Sequence, residues 1–275
     1  MRNLNSPILD PHDTFMRIVT AKTETDRKNR LRALERALIG HYDLYRANTN
    51  TLELIEAAGY ASPDKEDLED CYNTSTKELD TLKKHIRSMQ PPIIYNTCQY
   101  CGIGVPNSFD HYLPKSTFPE FAVLSLNLLP CCSVCNGHKG IVFLVDGERQ
   151  FVNLYFDPLP QTRYLFVDID YEDGLPMATY RLSNVSGIDP LLFRRIETHF
   201  TRLNLYLRYS VSAVEVFSDA RTSAQTHCTA VSPVEVRAYL GREAGRLMRE
   251  YSQNYWKAVL FDELSQTTQF IDECC

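Results

Sequence analysis

Four cysteines carry the strongest chemical signal in this chain. Cys98 and Cys101 form one Cys-x-x-Cys pair, Cys132 and Cys135 a second, and thirty residues separate the pairs. Two intervening residues let both thiolates of a tight turn point at one ion, and two such turns complete a tetrahedral four-thiolate zinc site. Five of the nine cysteines fall between positions 98 and 135. Clustering of that kind in a reducing compartment points to metal rather than to disulfides. Cys131 directly precedes Cys132 and is expected to face away from the ion. Cys71 and Cys228 stand alone as core or surface thiols, and the Cys274-Cys275 end is expected to fray.

The insertion between the pairs holds more polar chemistry than a zinc clip requires. It contains Asp110-His111 and Asn127-Leu128, while Asn136, His138 and Lys139-Gly140 follow the last cysteine. Taken singly, a histidine is more often satisfied structure than catalyst, and an asparagine more often a turn or cap. Their joint order is Cys-Cys, Asp-His, Asn, Cys-Cys-Asn. That order resembles the HNH (ββα-metal) endonucleases, whose core is two antiparallel strands and a helix around a metal ion. The resemblance covers roughly residues 95 to 140.

The resemblance implies a role for each of these residues. His111 would be the general base, because an imidazole with an ordinary pKa of about 6.5 can take a proton from water near neutral pH. Asp110 and Asn136 would ligate one hard divalent cation, Mg2+ or Mn2+, which absorbs charge on the phosphate and the leaving oxygen. Other members of the family carry histidine where Asn136 stands, so His138 remains the alternative ligand. Asn127 would fix the loop that orients His111, and Lys139 would contact phosphate. Two metals follow: structural Zn2+ at the thiolates and catalytic Mg2+ at the oxygens.

These side chains need elements to position them. Residues 1–90 read as helical, with Leu31, Leu34, Ala37, Leu38 and Tyr42 at helical spacing. Ser62 is a candidate N-cap with Pro63 behind it, opening a helical stretch that runs to Met89. Residues 27–36 are basic and 64–70 acidic, which suggests two solvated faces or, alternatively, a basic helix meeting phosphate or an acidic partner. Pro91-Pro92 breaks the helical pattern. Beyond residue 140 the composition turns β-branched and aromatic, with Asp-Gly turn signals at 146–147 and 173–174. Asp189-Pro190 opens a helix with the stripe Leu192, Ile196, Phe200, Leu203, Leu207, and Ser232-Pro233-Val234-Glu235 is a capping box opening another. The expected fold is therefore α+β, mostly helical around a small ββα core with a four-cysteine zinc site and a short β-hairpin insertion. Its expected regions are a helical 1–90, a nuclease core at 91–140, and a hairpin-plus-helix segment at 141–275.

Composition narrows the function classes. A net charge of −6 argues against a surface coated in basic charge, so phosphate attraction must come from a local patch or a partner. No apolar run approaches the roughly eighteen residues of a membrane span, and the first fifteen residues lack a secretory pattern, so the cytoplasm is the expected compartment. FVNLYFDPL at 151–159 and the run from His199 to Tyr209 are similar, more loosely, to the HNH nuclease subunits of Septu-type anti-phage systems. That similarity implies a DNA-cleaving defence effector acting with an ATPase partner. The alternatives are a zinc-stabilised binding or assembly subunit with an inactive site, and a nuclease directed at RNA such as tRNA.

Overall fold

The computed structural model describes residues 1–228 and 232–275, and some of its helices begin at a side-chain cap. Asp10 accepts the Asp13 N–H at the head of α1 (Pro11–Ala21), and two further helices follow, α2 (Thr25–Ala33) and α3 (Glu35–Ala47). Next come α4 (Asp64–Asn73), α5 (Lys77–Ser88), whose N-cap Thr76 accepts from Leu79 N–H, and the single turn α6 (Pro92–Tyr95). The short elements β1 (Ser108–His111), β2 (Leu128–Cys131), α7 (Ser133–Lys139), β3 (Leu144–Val145) and β4 (Glu148–Arg149) complete the stretch. Residues Asn3–Pro158 form one compact unit.

Of the expected stripe Leu31, Leu38 and Tyr42 are buried, joined by Tyr45, while Leu34 is half-buried at the junction of α2 and α3 and Ala37 is exposed. The helical stretch read through from Ser62 to Met89 is instead two helices, interrupted at Thr74–Thr76. Pro63 occupies the cap position of α4 and the Ser62 hydroxyl bonds Glu66 Oε1 at 2.5 Å, so Ser62 does not cap the backbone. The basic stretch is not fully solvated. Arg27 Nε and Arg30 Nε donate to the two oxygens of Asp67 at 2.9 and 2.6 Å, so two of the basic residues of α2 pair with the acidic α4 of the same chain, while Arg32 and Arg36 stay exposed. Lys22 Nζ adds a bond to Asp70 Oδ2 at 2.7 Å.

The second unit comprises Met1–Arg2 with Leu159–Cys275. Its hairpin pairs β5 (Leu165–Glu172) with β6 (Leu175–Leu182) in antiparallel register through the Asp173-Gly174 turn. Both turn residues have positive φ, +50° and +79°, the conformation for which an Asp-Gly pair is selected. Asp146-Gly147 makes the same turn between β3 and β4 of the first unit. The helices of the second unit are α8 (Pro190–Arg202), α9 (Leu205–His227), α10 (Pro233–Glu250), α11 (Trp256–Leu264) and α12 (Thr268–Cys274). Asp189 caps α8 and Ser232 caps α10, each as the sequence predicted.

Two expectations in this unit are corrected. The stripe that ran through Leu207 breaks at Asn204, which is left-handed at φ +52°; Leu205 and Tyr209 turn inward and Leu207 is exposed. A left-handed residue resets the helical phase, so periodicity cannot be carried across it. The C-terminal end is ordered as α12, with Cys274 buried rather than frayed. The chain is mostly helical with small two-stranded hairpins, an α+β arrangement. Among the described residues no helix is long and apolar enough to cross a membrane.

Candidate functional site

The four cysteines of the two Cys-x-x-Cys pairs come together. The Sγ atoms of Cys98, Cys101, Cys132 and Cys135 all lie within 4.8 Å of one another and all four residues are buried. Cys101 Sγ and Cys132 Sγ are 3.9 Å apart. Four Zn–S bonds near 2.3 Å at tetrahedral angles give S···S edges of about 3.8 Å, so the cluster fits a zinc ion.

Backbone geometry presents the sulfurs. In the first pair Gly102 N–H donates to Cys98 O at 2.6 Å, Cys98 N–H to Gly104 O at 2.7 Å, and Ile103 N–H to Cys101 Sγ at 3.4 Å. Gly102 adopts φ +70°, and a Cβ on Gly104 would stand 2.9 Å from Cys132 Cβ, so both positions need glycine. In the second pair Cys132 caps α7, its sulfur accepting the Cys135 N–H at 3.4 Å. Amides aimed at sulfur favour the thiolate. Contacts with Cys101, Cys132 and Cys135 nevertheless push Cys98 well above the usual thiol range, while contacts with Cys101, Cys135 and Cys98 hold Cys132 far below it. The protein alone keeps protons in this cluster, and a dication would release them. Cys131 lies outside the cluster, buried on β2, as its position predicted.

The polar site is built on the strand pair next to the cluster. Strands β1 and β2 are antiparallel, with Ser108 opposite Cys131 and His111 opposite Leu128, and α7 follows directly on β2. Asp110 is only 2% exposed and both its oxygens are engaged. Tyr100 Oη donates to Oδ2 at 2.9 Å and Lys139 Nζ lies 3.0 Å from Oδ1. Lys139 itself is 1% exposed, donates to His111 O at 2.9 Å, and sits 5.7 Å over the Phe151 ring. The ammonium of Lys139, expected from the sequence to contact phosphate, is here enclosed and paired with Asp110.

His111 ends β1, and its Nε2 is 2.9 Å from the Ala122 carbonyl. A carbonyl oxygen only accepts, so Nε2 carries the proton and Nδ1 holds the lone pair. The Tyr72 ring meets the imidazole edge-on at a centroid distance of 4.3 Å. Burial pulls the His111 pKa down to about 3, against the hydrogen bond to Ala122 and with help from the charges of Lys115, Lys139 and Lys83. The imidazole is neutral at pH 7.

Asn127 stands at the far end of the β1–β2 loop and is fully buried. Its Oδ1 accepts the Leu113 N–H at 2.8 Å, while Nδ2 donates to Leu113 O at 3.0 Å and Phe121 O at 3.2 Å. One amide thus ties the loop's beginning to its end, immediately beyond His111. Asn136, half-buried on α7, donates from Nδ2 to Ser108 Oγ at 2.9 Å. Ser108 and Asp110 are two residues apart on a strand and so share a face, which places Asn136 on the face carrying Asp110. Asp110 and Asn136 are hard oxygen donors of the kind Mg2+ takes. His138 is exposed on the outer side of α7.

Sequence reasoning missed Tyr100, Tyr72 and Tyr45. Tyr45 Oη lies 3.4 Å from Asn127 Oδ1 and supports it from α3. Tyr100 alone had a legible signal, a tyrosine inside a cysteine knuckle. Tyr72 and Tyr45 come from distant helices and had none.

Two known proteins are similar to the chain. Protein ea31 of Escherichia phage lambda is 28% identical over 185 residues, covering 63% of this chain and 62% of ea31. Septu protein PtuB of Bacillus thuringiensis is 42% identical over 50 residues, covering 16% of this chain and 20% of PtuB. The chain thus spans less than two thirds of the length of either relative. No protein-family model matches it, and no solved structure does.

Proposed function

We propose that the chain is a metal-dependent HNH-type endonuclease that hydrolyses phosphodiester bonds in DNA, as the effector of an anti-phage defence system acting with an ATPase partner. One observation carries this reading. His111 donates Nε2–H to the Ala122 carbonyl, which leaves Nδ1 as a fixed proton acceptor at the end of a strand whose other face carries Asp110. A buried catalytic base needs that tautomer, since a proton on Nδ1 would block acceptance from water. The local similarity to Septu protein PtuB supports the defence role.

In this mechanism His111 Nδ1 takes the proton from the attacking water. Asn127 keeps the loop after His111 in one conformation through its paired bonds to Leu113, so it acts as a positioning residue. Asp110 and the side-chain oxygen of Asn136 would hold Mg2+ or Mn2+, which supplies charge stabilisation at the phosphate and the leaving oxygen. Tyr100 and Lys139 orient the Asp110 carboxylate from two sides. The thiolate cluster anchors both Tyr100 and α7, and with them the two metal-facing residues.

A second reading, a zinc-stabilised assembly subunit with a silent site, is favoured by the Lys139–Asp110 contact, which neutralises the carboxylate a cation would use. Nicking of supercoiled plasmid with Mg2+ or Mn2+ decides between them. The nuclease reading requires metal-dependent nicking that EDTA stops and that His111→Ala reduces at least about 100-fold, the usual scale of general-base loss. Nicking that persists unchanged in His111→Ala removes His111 from the mechanism.

A further inference from the structure

Lys139 is the lysine that the zinc-clipped core offers to phosphate, and it is enclosed. The cations near His111 come from the loop that follows it, from Lys139 of the core and from α5. Lys83 Nζ stands 4.3 Å over the Tyr72 ring, and that ring meets His111 at 4.3 Å, so Lys83, Tyr72 and His111 form one contiguous column. Arg87, one helical turn further along α5, lies 5.0 Å over the ring of Phe109, the neighbour of Asp110 on β1. Residues four apart share a helix face, so α5 presents both cations toward β1. From the loop after His111, Lys115 Nζ donates to Asn73 Oδ1 at 2.7 Å, beside Tyr72. The charges of Lys83 and Lys115 reach the His111 ring.

These groups lack the acid partners that several arginines of the chain have. Arg27, Arg30, Arg149, Arg163, Arg181 and Arg246 all pair with carboxylates. Among the described residues Lys83 and Arg87 make neither an ion pair nor a hydrogen bond, and Arg87 Nε is buried without an acceptor. Holding these cations half-buried beside an imidazole costs solvation that Asp80, one turn before Lys83 on α5, returns only in part. A polyanion would return the rest.

We infer that Lys83, Arg87 and Lys115 form a phosphate-contacting rim around His111, through which α5 and the loop after His111 grip the backbone of the nucleic acid on either side of the scissile bond. The nature of that polyanion rests on the reading of the site as a DNA nuclease. The rim accounts for how a chain of net charge −6 can hold DNA: the attraction is confined to the place where cleavage would occur.

The test measures binding of a fluorescein-labelled duplex to the 275-residue chain by anisotropy across a salt series. Wild type is compared with Lys83→Gln/Arg87→Gln, with Lys115→Gln, and with the charge-keeping Lys83→Arg/Arg87→Lys. Arg32→Gln/Arg36→Gln removes two exposed charges elsewhere and serves as the control. Zinc content and thermal melting of each variant establish that it is folded. The expected result is an affinity loss of at least about tenfold in Lys83→Gln/Arg87→Gln, with the log–log salt slope shallower by about two. Lys115→Gln should lose less, and the charge-keeping and control variants should bind as wild type does. Unchanged affinity and slope in Lys83→Gln/Arg87→Gln overturn the inference, as does an equal loss in the control or an absence of DNA binding by wild type. Binding that fails in the rim variants while wild type shows no His111-dependent nicking leaves the rim standing and removes the nuclease reading. His111-dependent nicking with binding indifferent to the rim does the reverse.

Discussion

Tyr100 donates its hydroxyl to Asp110 Oδ2 at 2.9 Å, so a residue inside the first cysteine pair holds a residue inside the polar site. The tyrosine is fully buried, and Lys139 Nζ closes on the other Asp110 oxygen from 3.0 Å. The metal cluster and the polar site are therefore mechanically one object. Displacing the sulfurs displaces the carboxylate.

Tyr100→Phe removes the hydroxyl and keeps the ring's packing. Zinc content and melting temperature should stay close to wild type, while the Mg2+ concentration giving half-maximal nicking should rise about tenfold, the scale of an outer-shell loss. An unchanged Mg2+ requirement would show that Asp110 needs no help from Tyr100.

Cys98→Ser should abolish the single equivalent of zinc expected for four thiolates and unfold the region around it, because the energy of structural zinc binding is folding energy. Gly104→Ala tests the same cluster without touching a ligand. Its new methyl would meet Cys132 Cβ at 2.9 Å, so zinc should be lost to chelators faster than from wild type. Elemental analysis and a chelator competition check both outcomes. Full zinc retention in Cys98→Ser would overturn the four-cysteine assignment.

Asn127→Ala would leave the Leu113 N–H and C=O buried without the partners they now have. Each orphaned group costs about 1–3 kcal/mol, so a clear drop in denaturant midpoint is expected with the zinc retained. Asn127→Asp should be no better, since its oxygens would face the Leu113 and Phe121 carbonyls. A wild-type midpoint in either variant would remove the loop-tying role.

Asp67 gives a pH signature remote from the site. Burial alone would raise its pKa, but hydrogen bonds from Arg30 and Arg27 outweigh burial and hold it below the ordinary carboxylate value. A depressed folded-state pKa contributes stability that is complete above the unfolded value of about 3.9 and is lost as pH falls through the folded one. Asp67→Asn should thus melt lower than wild type at pH 7, and its melting temperature should fall less between pH 7 and pH 3. An equal acid sensitivity in the two proteins would show that the α2–α4 contact does not carry this charge linkage.

What the residues determined alone was local. Cys-x-x-Cys spacing fixes where sulfurs point within one turn, and Asp-Gly fixes a reversal, so the cluster at Cys98, Cys101, Cys132 and Cys135 and the turns at 146–147 and 173–174 were legible. Asp189 and Ser232 were legible caps for the same reason: each satisfies amides two or three residues away. The order Asp110, His111, Asn127, Asn136 was legible as a pattern, and Asn127 ties the loop as that pattern implied. Tertiary structure decided what each side chain meets across long stretches of chain. It spent Lys139 on Asp110, paired Arg27 and Arg30 of α2 with Asp67 of α4, broke the stripe at Asn204, and brought Tyr72, Lys83 and Arg87 around β1. Those outcomes depend on which surfaces pack together, and no short spacing in a sequence encodes the partner of a charge forty residues away.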